Sequence, residues 1–152
     1  MVEAEKFNIR VYGIVVEQGK VLLSDEFRLG QYMTKFPGGG LELGEGTLDC
    51  LHREFNEELN QPIQSIEHFY TTDFYQVSRL LNPPMQIISI YYRVKIAPPY
   101  YFQTSDNKLD IEKVDGSQSF RCITLSELSP NELTLPIDKV ALKKLKREFM
   151  QS

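Results

Sequence analysis

The chain has 152 residues, which is the size of one domain and is enough to bury a hydrophobic core. Apolar residues make up 41% of the chain and charged residues 25%, as is usual for a globular protein. The net charge of −4 argues against nucleic acid or an anionic membrane as a partner, and it leaves room for a polyanionic small molecule whose charge is offset by metal ions.

The two cysteines and the lack of a long apolar segment indicate an intracellular protein. Cys50 and Cys122 form no disulfide framework and are expected to be reduced thiols. No apolar stretch approaches the ~20 residues that a transmembrane helix needs, and the first residues do not resemble a secretion signal. We therefore expect one cytoplasmic domain over residues 1–152.

Residues 7–31 predict a hairpin followed by a loop. Residues 7–17 are rich in β-branched and aromatic side chains, and a tight turn at 18–20 leads into a returning strand at 21–24. Residues 24–31 are polar and include a glycine, which is typical of a loop.

A short strand and a glycine-rich loop follow. Residues 32–36 predict a strand that stops at Pro37, because proline cannot donate a hydrogen bond to a neighbouring strand. Five glycines among residues 38–46 argue against regular structure in that segment.

The next segment predicts a helix with one buried face and one acidic face. Thr47 is a good N-cap, and Asn60 can adopt the left-handed conformation that ends a helix. Glu54, Glu57 and Glu58 share an arc beside the apolar face, so their carboxylates are displayed together. The apolar face consists of Leu48, Leu51, Phe55 and Leu59.

The second half of the chain predicts three strands, a long loop and a final helix. Strands are expected at residues 66–78, 86–96 and 119–124, and residues 97–118 read as a loop. The alternation in the second strand leaves one of its faces half-exposed or directed toward the site. The final helix begins near Pro136, with Ile137, Val140, Ala141, Leu145 and Phe149 facing inward. The predicted fold is α+β, with a mixed sheet between helices.

Three glutamates beside a glycine-rich loop indicate a divalent metal site. Mg²⁺ prefers oxygen ligands and often bridges protein carboxylates to substrate phosphates. Each feature alone has an ordinary explanation, because acidic helix faces are usually solvated and glycine-rich loops are usually turns. Their adjacency in one strand–loop–helix unit makes a metal site about as well supported as these ordinary explanations.

The segment from Gly39 to Gln61 resembles the Nudix box, G-x5-E-x7-R-E-U-x-E-E-x-G-U, in which U is apolar. The residues that fit the spacing are Gly39, Glu45, Arg53, Glu54, Phe55, Glu57 and Glu58. Asn60 and Gln61 depart from the pattern where the box has a glycine and an apolar residue. Asn60 can take the left-handed conformation that the glycine serves, so the departures leave the carboxylates in place.

The resemblance implies an α/β/α sandwich and a hydrolase that depends on Mg²⁺, with Mn²⁺ as a substitute. The expected reaction is cleavage of a pyrophosphate bond in a nucleoside diphosphate linked to another moiety. ADP-ribose or a nucleotide sugar is slightly preferred, while nucleoside triphosphates and dinucleoside polyphosphates stay open. The competing interpretations are a nucleotide sensor of the same fold that does not hydrolyse its ligand, and a protein whose acidic helix binds a basic partner. Many members of the family are homodimers.

The resemblance also implies roles for residues of the box. Glu57 and Glu58 are the expected metal ligands, Glu54 is a ligand or the general base, and the carbonyl of Gly38 is a further ligand. Arg53 and Glu45 are expected to support catalysis as an ion pair that holds the loop to the helix.

The candidates outside these roles are less specific. Lys35, Arg28 and Gly39 are expected to bind substrate phosphates, and Arg10 and Arg93 are further cations near the site. An ordinary surface charge is the alternative for each of the four cations. An additional acidic ligand could come from Asp110, Glu112 or Asp115. Tyr100, Tyr101 and Phe102 either stack on a nucleobase or pack the long loop.

Overall fold

Nine strands and two α-helices are present in residues 3–78 and 81–150, the part of the chain that the computed structural model describes. The strands are β1 (Lys6–Ile14), β2 (Val16–Glu17), β3 (Lys20–Arg28), β4 (Gln31–Lys35), β5 (Gly38–Gly40), β6 (Ser65–Thr71), β7 (Val77–Ser78), β8 (Met85–Lys95) and β9 (Gln118–Thr124). The helices are α1 (Thr47–Leu59) and α2 (Pro136–Met150), and one turn of 3₁₀ helix spans Pro130–Glu132.

The strands form two sheets. The first is mixed, with the order β5-β1-β8-β6 and with β7 also paired to β8; β1 and β8 run parallel. The second is antiparallel, with β2, β4 and β9 all paired to β3. The α+β class and the mixed sheet are confirmed, and the structure adds that the strands are divided between two sheets.

The helices cover opposite sides of the sheets. Successive side chains of a strand point to opposite faces, so Val11 of β1 joins the core under α1 while Tyr12 joins the core under α2. The α1 core includes Leu51, Phe55 and Leu59. The α2 core includes Phe36, Tyr91, Ile137, Ala141, Leu142 and Leu145. This arrangement is the expected α/β/α sandwich.

The predicted hairpin over residues 7–24 is only partly correct. Gln18 and Gly19 form the turn with φ of 51° and 75°, and β2 pairs with the start of β3 through Val16 and Val21. The residues of β1 do not continue this hairpin, because β1 lies in the other sheet between β5 and β8. The turn chemistry is local, whereas the choice of strand partner depends on the whole fold.

Two segments that read as loops are strands. β3 continues to Arg28, so the loop predicted over residues 24–31 is wrong; β4 and β9 flank this polar stretch and supply its hydrogen bonds. The glycines of β5 pair antiparallel with β1, which also corrects the prediction for Gly38–Gly40. Gly38 has φ of 143°, and a Cβ there would lie 2.1 Å from the carbonyl oxygen of Val11. Glycine is required because the backbones approach so closely.

The second half of the chain follows the prediction with one change. The strand predicted over residues 66–78 is divided into β6 and β7, both paired to β8. The face of β8 that was predicted to be half-exposed or directed toward the site includes Ser89 and Tyr91, which are both buried and line the cavity described below.

The ends of helix α1 confirm one cap and correct the other. Gly46, not Thr47, is the N-cap, and its N–H donates to Asp49 Oδ2 at 2.9 Å. The Thr47 hydroxyl instead lies 2.6 Å from the hydroxyl of Tyr92. Asn60 is left-handed, with φ of 52° and ψ of 35°, as predicted.

Two residues predicted to face the core are exposed. Leu48 is 48% exposed in the first turn of α1, and Phe149 is 38% exposed near the end of α2. Helical periodicity gives the direction of a buried face, but it does not show how far the neighbouring sheet extends along the helix axis.

Candidate active site

A cavity of about 850 Å³ brings the acidic side of α1 together with strand β5. Glu54, Glu57 and Glu58 all line it, as does each residue of Gly38–Gly40. The short connection from β5 to α1 places both elements at the same wall of the cavity. The grouping predicted from the Nudix box spacing is therefore present in the fold.

Arg53 connects α1 to the loop that precedes it. Its Nε and Nη2 donate to the two carboxylate oxygens of Glu45 at 2.9 and 2.7 Å, and Nη2 also donates to the carbonyl of Gly40 at 3.0 Å. The hydrogen bonds from Arg53 lower the pKa of Glu45 to about 2, and the same contact raises the pKa of Arg53. The predicted ion pair is present, and it ties residues 40 and 45 to the helix.

The other edge of the Arg53 guanidinium faces the candidate metal ligands. Nη1 donates to Glu54 Oε1 at 2.9 Å and to Glu57 Oε2 at 3.3 Å. Arg53 thus separates like charges that would otherwise repel one another along α1. The exposed Glu57 gains little from this contact, since solvent screens it.

Glu58 has the environment expected of a carboxylate that holds a cation. Its Oε2 is buried and has no hydrogen-bond partner among the described residues. Burial raises the pKa of Glu58 to about 7, with smaller contributions from the charges of Glu26 and Glu54, while Lys35 acts in the opposite direction. An unpartnered buried oxygen is costly, and a hard cation would satisfy it.

Lys35 and Glu26 form a buried ion pair at the cavity. Ser24 lies opposite Lys35 in the β3–β4 register, so Glu26 is the diagonal neighbour of Lys35, and their Nζ and Oε2 atoms are 3.0 Å apart. Burial opposes charge on both groups and is the largest single effect, but their mutual attraction and their other polar neighbours together outweigh it: the pKa of Glu26 is lowered and that of Lys35 is raised. Lys35 also donates to the Gly38 carbonyl at 3.1 Å.

Glu26 was not identified from the sequence, because residues 24–31 read as a loop. The available signal was the alternation of Ser24 and Glu26 on one face of an extended strand. Ser24 Oγ donates to Glu26 Oε2 at 2.8 Å, and Gln118 Nε2 donates to the same oxygen at 3.2 Å. The carboxylate is therefore held on several sides.

The predicted cations occupy different positions. Arg28 lines the cavity at its exposed side, and its Nε lies 2.8 Å from Glu26 Oε1 without hydrogen-bond geometry. Arg10 also lines the cavity and donates to the Tyr12 hydroxyl at 2.7 Å. Arg93 pairs with Glu148 instead and does not line the cavity.

The acidic candidates of the long loop are also separated. Asp115 lines the cavity, where its carboxylate accepts from the N–H of Leu29 at 3.0 Å. Asp110 accepts from Ser105 at 2.6 Å, and neither it nor Glu112, both within the described residues, lines the cavity. Asp115 is therefore the one of the three that lies at the candidate site.

Two of the three aromatic residues at positions 100–102 pack the loop, while Tyr101 is exposed. Phe102 lies against Phe120 with ring centroids 6.3 Å apart, and the Tyr100 hydroxyl bonds to Glu17. None of the three described side chains lines the cavity. Their geometry supports the packing interpretation over stacking on a nucleobase.

The carboxylate oxygens of the site fit a hard divalent cation in chemical type, but they do not converge on one point. Within residues 3–78 and 81–150, no three His, Cys, Asp or Glu side chains form a preassembled metal group. Glu54 and Glu57 are instead engaged by Arg53. The carboxylates of Glu54, Glu57 and Glu58 are the kind of ligand that Mg²⁺ prefers, and the unpartnered oxygen of Glu58 supports the fit.

A family model described as NUDIX domain matches residues 6–145 of the chain. The chain belongs to the Nudix family. The match includes both sheets, α1 and most of α2.

A curated relative matches a shorter part of this Nudix chain. An RNA pyrophosphohydrolase from Ruthia magnifica subsp. Calyptogena magnifica is 36% identical over 66 residues, which are 43% of this chain and 36% of the relative. The match thus spans about a third of the length of that relative.

Solved structures share the Nudix fold of this chain over nearly its whole length. A NUDIX hydrolase from Nitrosomonas europaea has a TM-score of 0.65 at 18% identity, covering 94% of this chain and 90% of its own. A MutT NUDIX hydrolase from Burkholderia pseudomallei has a TM-score of 0.64 at 18% identity, with coverages of 91% and 98%. The E. coli ORF135 protein has a TM-score of 0.62 at 20% identity, with coverages of 93% and 90%.

No helix within the described residues is both long enough and apolar enough to cross a membrane.

Proposed function

We propose that this Nudix protein is a pyrophosphohydrolase that uses a divalent metal to cleave a phosphoanhydride bond in a nucleotide derivative. The observation that carries the proposal is the meeting of Glu54, Glu57 and Glu58 with the backbone of Gly38–Gly40 at one cavity. The family membership and the relatedness to an RNA pyrophosphohydrolase support the same class of reaction.

In this proposal the carboxylates of Glu57 and Glu58 hold Mg²⁺, with Mn²⁺ as a substitute. Glu54 is a further ligand or the general base, and the Gly38 carbonyl is an additional oxygen donor. When bound, the divalent ion neutralises phosphate charge and activates water as a nucleophile. The donor chemistry fits, since all of these groups are hard oxygen donors.

The remaining residues position the loop and bind phosphate. The bidentate contact between Arg53 and Glu45 holds the loop against α1, so the oxygens of the helix and of β5 keep one relative geometry. Arg28 at the exposed side of the cavity and Arg10 deeper in it are the cations available to substrate phosphates. Lys35 has less freedom for that role, because its ammonium is buried against Glu26.

The preferred substrate is a nucleoside diphosphate linked to another moiety, such as ADP-ribose or a nucleotide sugar. A second candidate is a 5′-triphosphate, either on a nucleotide or at the end of an RNA. The local identity to an RNA pyrophosphohydrolase favours this second candidate. A small-molecule partner, a homodimer and a cytoplasmic location stay predictions.

A substrate screen with a matched pair of variants tests the proposal. ADP-ribose, a nucleotide sugar, ATP, a dinucleoside tetraphosphate and a 5′-triphosphorylated RNA are incubated with the protein and Mg²⁺, and the products are separated by chromatography. Glu58→Gln removes the charge of the buried carboxylate and is expected to lower kcat by at least ~10²-fold on the active substrate.

The control is Glu127→Gln, which makes the same change at an exposed position outside the cavity. It is expected to keep the wild-type kcat. Equal rates for Glu58→Gln and the wild type would contradict the role of Glu58. No turnover of any of the five substrates would favour the nucleotide sensor.

A further inference from the structure

Lys35 places a buried positive charge among the oxygens proposed to hold the metal. Its side chain is only 5% exposed, and its Nζ lies 3.1 Å from the Gly38 carbonyl oxygen and 3.4 Å from that of Phe36. The third acceptor is Glu26 at 3.0 Å. Three acceptors use the full donor capacity of an ammonium group, so the position of Nζ is well determined.

The charges around Lys35 come from three elements. On β3, Glu26 is its direct partner. On β1, the ring of Tyr12 lies 5.3 Å from Nζ and Arg10 opposes its charge, while Glu58 on α1 favours it. The ammonium therefore donates to one of the oxygens assigned to the metal, the Gly38 carbonyl.

We propose that Lys35 is a resident cation of the site, an inference that rests on the proposed function. Its ammonium competes with the divalent ion for the Gly38 carbonyl and adds a positive charge to the site. The site then binds fewer divalent ions than its oxygen donors would hold without the lysine. Lys35 is a positioning residue in this role, because it acts through the Gly38 carbonyl and does not contact the phosphoanhydride.

Simple electrostatics gives the direction in which Lys35 and Glu26 should change the binding of divalent ions. An ammonium and a divalent cation repel each other strongly at a site shielded from water. Removing the ammonium frees the Gly38 carbonyl and takes a positive charge away from the site, so an added divalent ion is favoured. Removing only Glu26 has the opposite effect, since Lys35 then relies more on the Gly38 carbonyl and competes with the metal for it.

The first experiment counts Mn²⁺ ions bound to the double variant Glu26→Gln/Lys35→Met. The variant keeps the net charge of the protein and replaces a buried ion pair by neutral groups of similar size, a change that folded proteins often tolerate. Electron paramagnetic resonance of free Mn²⁺ at pH 8 gives the number bound per chain. We expect roughly one Mn²⁺ more per chain than in the wild type.

The matched control is Glu127→Gln/Lys143→Met, which removes one charge of each sign at exposed positions away from the cavity. It is expected to bind as many Mn²⁺ ions as the wild type. An unchanged or lower count for Glu26→Gln/Lys35→Met would overturn the inference, because a purely structural ion pair predicts no gain of metal.

The single variant Glu26→Gln provides a second test that does not depend on folding of the double variant. The ammonium then has the Gly38 and Phe36 carbonyls as its close acceptors, so Mn²⁺ is expected to bind at least ~10-fold more weakly than to the wild type. Wild-type affinity for Mn²⁺ in this variant would contradict the inference.

Both tests measure metal binding without substrate. If the protein hydrolyses a substrate but neither the Mn²⁺ count nor the Mn²⁺ affinity changes in the variants, only the role of Lys35 is refuted. If both change but no substrate is hydrolysed, only the proposed reaction is refuted.

Discussion

Gly39 lies directly against the carboxylate of Glu54. A Cβ at position 39 would be 2.6 Å from Glu54 Oε1 and 2.7 Å from Cδ. Both distances are far shorter than the ~3.5 Å at which non-bonded heavy atoms make favourable contact. The glycine therefore lets a candidate metal ligand of α1 rest on the backbone of β5.

Replacement of Gly39 by alanine should displace Glu54. We expect Gly39→Ala to weaken Mn²⁺ binding and to lower kcat by at least ~10-fold, because small displacements of catalytic groups are costly. Gly40→Ala is the control, since a Cβ there meets nothing closer than Arg10 Nη1 at 3.6 Å. Titration calorimetry and steady-state kinetics provide the two readouts. Similar behaviour of the two variants would contradict the steric explanation.

Loss of Arg53 should release the loop between β5 and α1. Arg53→Ala removes the bidentate contact with Glu45, so we expect faster amide hydrogen exchange in residues 41–46. We also expect kcat to fall by ~10-fold or more. Arg53→Lys should restore little of the lost kcat, because an ammonium cannot make the two parallel hydrogen bonds to Glu45. Full activity with normal metal affinity in Arg53→Ala would refute the supporting role.

Asp138 should make the stability of the fold depend on pH. Burial raises its pKa to about 6, although it accepts hydrogen bonds from the Tyr91 hydroxyl and from the N–H of Phe36. Because the folded protein keeps the proton more tightly than the unfolded chain, this group stabilises the fold below about pH 4. That contribution is lost as the pH rises through 6.

Urea unfolding of the wild type and Asp138→Asn between pH 4 and pH 7 measures this effect. The shift of about two pKa units corresponds to ~3 kcal/mol. We therefore expect the free energy of unfolding of the wild type to fall by about that amount relative to the variant. If the difference in free energy of unfolding between the wild type and Asp138→Asn is constant from pH 4 to pH 7, Asp138 does not titrate as expected.

The buried pair of Asp25 and Arg121 should be important for stability. Arg121 donates to both carboxylate oxygens at 2.6 and 3.0 Å, and Thr34 and the N–H of Leu109 donate to the same carboxylate. Arg121→Ala leaves a buried charge without its partner, which typically costs ~3–5 kcal/mol. Urea unfolding should show that loss.

The double variant Asp25→Asn/Arg121→Ala serves as the control for this pair. It removes the uncompensated carboxylate charge and should recover part of the lost free energy of unfolding. A loss below ~1 kcal/mol in Arg121→Ala would indicate that solvent reaches Asp25.

The prediction of α1 illustrates which parts of this fold are encoded locally. The spacing of Glu54, Glu57 and Glu58 places them on one side of any helix, whatever the rest of the fold. The left-handed Asn60 is also a local property of that residue. Leu48 was misassigned because its exposure depends on where the sheet ends beneath the helix.

The Glu26–Lys35 pair illustrates what local patterns could not supply. Its two residues read as parts of a loop and of a short strand, and neither pattern indicates a buried ion pair. They meet because β3 and β4 adopt one antiparallel register, with β9 closing the other side of β3. The two-residue turn at Leu29 and Gly30, both with positive φ, fixes that register, and the burial of the pair depends on the strands and helices packed around it.

The sequence by itself determined the acidic helix, its end at Asn60 and the spacing that identifies the Nudix box, because helix geometry relates residues only a few positions apart. Only the tertiary structure decided that Gly38–Gly40 form a strand, that Glu58 has an unpartnered buried oxygen and that Lys35 lies at the Gly38 carbonyl. These features depend on strand partners and on burial, which link distant parts of the chain and leave no periodic signal in the sequence.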